Sequence, residues 1–180
     1  MSAHGHVDPS NKKIALLISI LALLLAITET FSKSYQTEAL TKQIEASNLW
    51  SFFQAKTIRS TNTKLTIEAS QVLGKNDPKL NPLIEKWEAA AKRYDSEPET
   101  GEGRKELAAR AKAAEAARDD FMHKYHLMEI ASGALQVAIV LASASIITGV
   151  FMLAWVSGIL GIASSILGGL ALFAPGLIHL

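Results

Sequence analysis

"FMLAWVSGIL", residues 151–160, lies inside a run from 130 to 180 that contains no Asp, Glu, Lys or Arg. How this stretch is read decides the fold. One helix through the whole run would be roughly 75 Å long at 1.5 Å per residue, more than twice the roughly 30 Å hydrocarbon core of a bilayer. The segment must therefore fold back. A turn inside lipid would leave peptide groups without partners, so the turn belongs at an interface. Here "AWVSG" offers Trp155 for that boundary and Ser157 with Gly158 for the turn itself. The expectation is a hairpin of two spans, 131–153 and 156–173, with Pro175 and Gly176 ending the second.

A second uncharged segment, "IALLISILALLLAIT" at 14–28, is bounded by Lys13 and Glu29. It is just long enough to span. It lacks a small-residue cleavage site and runs on in helical character through "TETFSKSYQTEAL", which marks an uncleaved anchor. Hydrophobic residues make up 49% of the 180-residue chain, yet the charge is gathered in the middle third, a segregation unlike that of a soluble domain. The net charge is +1 with acids and bases closely interspersed, so nucleic acid is not an expected partner. The absence of cysteine excludes disulfides, thiolate metal sites and thiol nucleophiles. No catalytic constellation stands out, and no catalytic residue, cofactor or metal is expected.

Between the spans, apolar or small residues at Leu40, Ile44, Ser47, Ser51, Ala55, Ile58, Leu65, Ala69 and Val72 follow a 3.6-residue period with a gap at Asn62. They predict a long amphipathic helix continuing out of the first span, with this stripe as its packing face. "GKNDPKLNP" at 74–82 ends it, with Asn81 as the N-cap ahead of Pro82 in a second helix marked by Leu83, Trp87, Ala90 and Tyr94. After the loop "DSEPETGEG", a stripe of Leu107, Ala111, Ala114, Phe121, Tyr125 and Met128 leads unbroken into the next span. About 40 residues outward and about 38 back give matching lengths near 60 Å, so these helices form an antiparallel stalk of coiled-coil character. The fold class is thus all-α, three-span: 1–12 a tail, 13–30 the first span, 31–128 the stalk, 129–154 the second span and 155–180 the third with the C-terminus.

The blocks "NKKIALLISILALLLAITETFSKSYQTEALTKQIEASNLWSFFQAKTIRSTN" and "HKYHLMEIASGALQVAIVLASASIIT" resemble a bacterial family of small membrane proteins, the domain of unknown function 4337. "IEASNLWSFFQAKTIR" is the most specific part. The resemblance implies an inner-membrane protein with three spans and no assigned activity. Lys12 and Lys13 before the first span favour a cytoplasmic N-terminus and a periplasmic stalk, whereas Arg118 and Lys124 near the second span pull the other way. The first helix is taken as the better witness.

Candidate contact residues fall into two groups. Ser157, Gly161, Ser165 and Gly169 recur every four residues, as do Ala134, Ala138 and Ala142, and such strips let helices approach closely. They pack against each other within one subunit or form a subunit interface, with Gln136 as an interhelical hydrogen bonder under either reading. Trp50, Phe52 and Phe53, next to Leu49, crowd too many large side chains onto one helix for a single face, so some point away from the face of Leu40 and Ile44; they pack within the stalk core, form a contact surface for another subunit or a partner protein, or line a ligand pocket. Asp119, His123, His126 and Glu129 share one side of a helix and could hold a divalent ion, but His and Tyr also anchor at headgroups. His4, in "MSAHGH", could chelate copper or nickel with the amino terminus after Met1 is removed. Glu29 and Glu129 could line an ion path at the stalk ends of their spans. Together these features lead to the expectation of a non-enzymatic, self-associating scaffold or accessory subunit whose partners are the bilayer, further copies of itself and another membrane protein. The alternative is a channel or transport subunit. A sensor lacks an output domain.

Overall fold

The computed structural model describes residues 9–74 and 78–174. Among these the order is α1 (Pro9–Leu73), a 3-10 turn (Pro78–Leu80), α2 (Asn81–Asp95), α3 (Arg104–Thr148) and α4 (Phe151–Phe173), with no strand. α1, α3 and α4 are each long and apolar enough to cross a membrane. The anchor and the amphipathic segment after it are one 65-residue helix, in agreement with the absence of any Gly or Pro between Pro9 and Gly74. Two compact units divide the chain: Met1–Ala39 with Asp120–Leu180, and Leu40–Asp119.

The first unit holds the start of α1, the end of α3 and all of α4. Their packing follows from size complementarity. Ile14 packs with Ala142 and Ala154, while Leu21 packs with Leu135 and Ala138. A Cβ on Gly161 would collide with the Leu21 side chain, and one on Gly168 would touch Thr28, Ala131 and Met128. α1 side chains thus seat on small α4 positions one heptad apart: the large Ile14 on Ala154 and Leu21 on Gly161, and the smaller Thr28 on Gly168. The buried strip of α4 is Ala154, Ser157, Gly161, Ser164, Gly168 and Ala171, with alternate steps of three and four. Ser157 Oγ donates to the Ala138 carbonyl at 2.7 Å, which fastens α4 to α3.

The hairpin turn is corrected by this arrangement. It lies at Gly149–Val150, not between 154 and 158, and Trp155, Ser157 and Gly158 are inside α4. Gly149 takes a φ of +72°, a conformation that costs glycine nothing and ends α3. Ser145 Oγ then donates to the Val150 carbonyl at 3.0 Å, closing the corner. The signal was the single glycine after "SIIT", which the interfacial Trp155 overshadowed. Pro175 and Gly176 lie outside the described residues.

In the second unit α1 pairs with α2 and α3. Successive links run in opposite directions along α1 and α3: Gln43 with Arg118, Trp50 with Glu115, Phe53 with Arg104, which defines an antiparallel pair. The core is Ala46, Leu49, Leu107, Ala111 and Ala114, flanked by Trp50 and Phe53. Alanines on α3 allow the close approach, and Leu107 is fully buried. α2 is capped differently from expectation. Leu80, in the 3-10 turn, is its N-cap and makes no side-chain cap bond, and Asn81 is already helical. Its inward face runs through Ile84, Trp87, Ala91 and Tyr94, whereas Leu83 is exposed.

Candidate functional site: the outer face of α1

Among the buried and half-buried positions of α1 in the second unit, which also include Trp50 and Thr57, a seam runs through Lys42, Ala46, Leu49, Phe53, Lys56, Ser60, Thr63, Ile67 and Ser70. Its members alternate in steps of four and three, the spacing that keeps one seam against a neighbouring helix. The stripe anticipated as the packing face is not this seam. Leu40, Ile44, Ile58, Leu65 and Val72 are 59%, 62%, 61%, 56% and 72% exposed, and Ser47, Ser51, Ala55 and Ala69 are exposed with them. In heptad terms the seam takes positions a and d, and the stripe lies on b, c and f, directly opposite. The correction is therefore one of direction: the apolar stripe exists but points away from α2 and α3.

The seam is mixed: Ala46, Leu49, Phe53 and Ile67 are apolar, and polar side chains take its other positions. Lys56, 7% exposed, sits between the rings of Phe52 and Tyr94, with Nζ at 5.5 and 5.6 Å from their centroids and at 3.7 Å from Glu102. One turn on, Asp95 at the end of α2 accepts from Ser60 Oγ at 3.3 Å, Lys64 Nζ at 3.1 Å and Arg104 at 2.9 Å. The Lys64 hydrogen bond, then that of Arg104, holds the Asp95 carboxyl below its ordinary range. Glu97 is likewise lowered by its hydrogen bond from Arg93. Asp95, Arg104, Lys105, Phe53 and Ala108 border an open cleft of about 440 Å³. The carboxylate there is neutralised by two bases, which suits bracing three helices rather than proton transfer.

The remaining anticipated contact residues are distributed as follows. Trp50 is half-buried, and its Nε1 donates to Glu115 at 2.8 Å. Phe53 meets Trp50 edge to face at 5.4 Å. Phe52 is 39% exposed beside Lys56. On α4, Ser157 and Gly161 are used against α3 and α1, whereas Ser165 is exposed and a Cβ on Gly169 would meet nothing within 4 Å. Gln136 Nε2 donates to Glu29 Oε1 at 3.2 Å. Asp119 pairs with Arg118, His123 Nε2 is buried without a partner, and His126 lies 3.6 Å from Glu129. Among the described residues no group of three or more His, Cys, Asp or Glu is placed to hold a metal ion. His4 lies outside the described residues.

These features define an all-helical protein with three helices able to cross a membrane and an apolar face on the part of α1 that follows the first apolar segment. The chain belongs to the family described as "Domain of unknown function (DUF4337)", whose model matches residues 10–174. No curated protein and no solved structure matches it.

Proposed function

We propose that the protein is a non-enzymatic multi-pass membrane protein of the bacterial inner membrane that self-associates and serves as a scaffold or accessory subunit. The observation that carries this reading is the outer face of α1. Exposed apolar side chains at 14–28 and in α4 have lipid as their natural solvent, but Ile44, Ile58, Leu65 and Val72 belong to a segment interrupted by Lys42, Glu45, Lys56, Arg59, Lys64 and Glu68. A row of large exposed apolar side chains outside lipid, spaced among small and uncharged polar residues, is a contact surface in wait of its cover. At 1.5 Å per residue the stripe is about 50 Å long, and at about 10 Å wide it offers roughly 500 Å². Two copies would then bury about 1,000 Å² in total, the size at which specific association begins. On its b, c and f positions Glu68 is the sole charge, so two identical faces meet with little repulsion.

The test is native mass spectrometry of the full chain released from membranes. Oligomers are expected, reduced to monomers by the double change Ile58→Ser and Leu65→Ser with helicity unchanged. A monomeric wild type would end the proposal. Lys12 and Lys13 support a cytoplasmic N-terminus and a periplasmic second unit. On spheroplasts, a membrane-impermeant maleimide should label Ser96→Cys and spare Ser10→Cys, and the reverse pattern would move the unit to the cytoplasm. A second reading, a channel or transport subunit, draws on the Gln136 to Glu29 hydrogen bond, a polar pair on helices otherwise facing lipid. Ion flux in liposomes that is unaffected by Gln136→Leu would remove it.

A further inference from the structure

We infer that the cleft between the starts of α1 and α4 is a binding site for one anionic phospholipid, its phosphate at Lys13 and one acyl chain along the cleft. This rests on the membrane reading above but not on self-association. The cleft begins as an apolar cavity of about 250 Å³ walled by Leu17 on α1 and by Phe151, Trp155 and Ile159 on α4, with Lys13 at its rim. Its depth comes from Gly158, where an added Cβ would meet nothing within 4 Å. A second groove of about 400 Å³ shares Leu17, Gly158 and Ile162 with the first and continues it to Leu24.

Length and charge select the occupant. From Lys13 to Leu24 the helix rises about 16 Å, roughly half of a 30 Å hydrocarbon core, which is the reach of an acyl chain from one leaflet. A spanning helix would need about twice that. The charged end is set on one side only: Lys12 and Lys13 are exposed and adjacent, with no ion pair among the described residues, while the cleft walls carry no charge. A phosphate without a compensating cation, as in a phosphatidylglycerol, is attracted there, whereas a zwitterionic headgroup brings its own ammonium. Trp155, 66% exposed, adds an amphipathic ring at the cavity wall.

The experiment uses the full-length protein in detergent, mixed with equal phosphatidylglycerol and phosphatidylethanolamine and read by native mass spectrometry. Retained phosphatidylglycerol should exceed phosphatidylethanolamine by roughly fivefold for each lysine engaged. Lys12→Gln with Lys13→Gln should remove the preference. Gly158→Leu fills open space without displacing a neighbour, so it should expel the lipid and keep the fold, while Gly133→Leu, at another open glycine, should leave binding unchanged. Equal retention of the two lipids by the wild type overturns the proposal, as does undiminished binding in Gly158→Leu or an unchanged preference in the lysine variant. Recovery of the protein in the soluble fraction after carbonate extraction overturns the membrane reading itself.

Discussion

Across its two sides, the part of α1 in the second unit departs from the usual amphipathic helix, because polar groups share the inner side with Ala46, Leu49, Phe53 and Ile67 and large apolar side chains share the outer side with polar ones. The side turned to α2 and α3 carries Lys42, Lys56, Ser60, Thr63 and Ser70 among its buried and half-buried residues, and the side turned away carries Leu40, Ile44, Ile58, Leu65 and Val72. α2 obeys the ordinary rule, with Glu85, Lys86, Glu88, Lys92 and Arg93 exposed, as does α3 with Lys105, Arg110 and Lys112. The difference teaches that a seam with buried polar groups is affordable when each group finds a partner, as Lys56 does between two rings and Ser60 does on Asp95. The apolar side chains exposed on the other side have no such internal compensation.

The comparison breaks most sharply at Leu107, fully buried against Leu49 and Ala46. Leu107→Ala removes packing and leaves a cavity, and the expected loss is about 2–5 kcal/mol of stability, read from denaturant unfolding of the second unit's helicity. Ile58→Ala deletes a side chain of comparable size from the outer side and should change monomer stability by no more than about 0.5 kcal/mol, while weakening association. If both cost the same, the outer side is packed within the chain and the contrast between the two sides fails. Next in size is Gly161→Leu, whose side chain would have to displace Leu21, at an expected cost of about 1–3 kcal/mol. Gly169→Leu enters open space and should be near neutral in the monomer, a contrast readable as thermal midpoints in detergent.

These pairs also mark how far the sequence could be read. The three apolar helices, the continuity of α1 across its 65 residues and the antiparallel return are legible, because length and the absence of breakers decide them. Direction was not legible, since periodicity tells that an apolar stripe exists and not which neighbour it faces. The mixed seam competes with it in the same helix and becomes recognisable only when Asp95, Tyr94 and Glu102, some 30 to 50 residues away, are brought to it. The α4 strip shows the same limit in smaller form. Ser165 and Gly169 follow a step of four, but packing against α1 repeats in heptads, so the buried members drift to Ser164 and Gly168.

The smallest expected contrast between two forms of the chain concerns the polar groups of the inner side. Asp95 is stabilised as a carboxylate chiefly by the Lys64 hydrogen bond and then by Arg104, so its folded pKa lies below its unfolded one. A depressed carboxylate contributes stability that is fully present above the unfolded value, about 4, and is lost as pH falls through the folded one. The Asp95 side chain is 38% exposed, and solvent screening limits the contribution to about 1 kcal/mol or less. Unfolding of the second unit followed by circular dichroism should therefore lose a small increment of stability below pH 4 in the wild type. Asp95→Asn keeps an acceptor for Ser60 but carries no charge, and it should lose the low-pH step while lying slightly below the wild type at neutral pH. An unchanged acid profile in Asp95→Asn would mean that the bases leave Asp95 for solvent, and that Ser60 and Lys56 hold the seam without it.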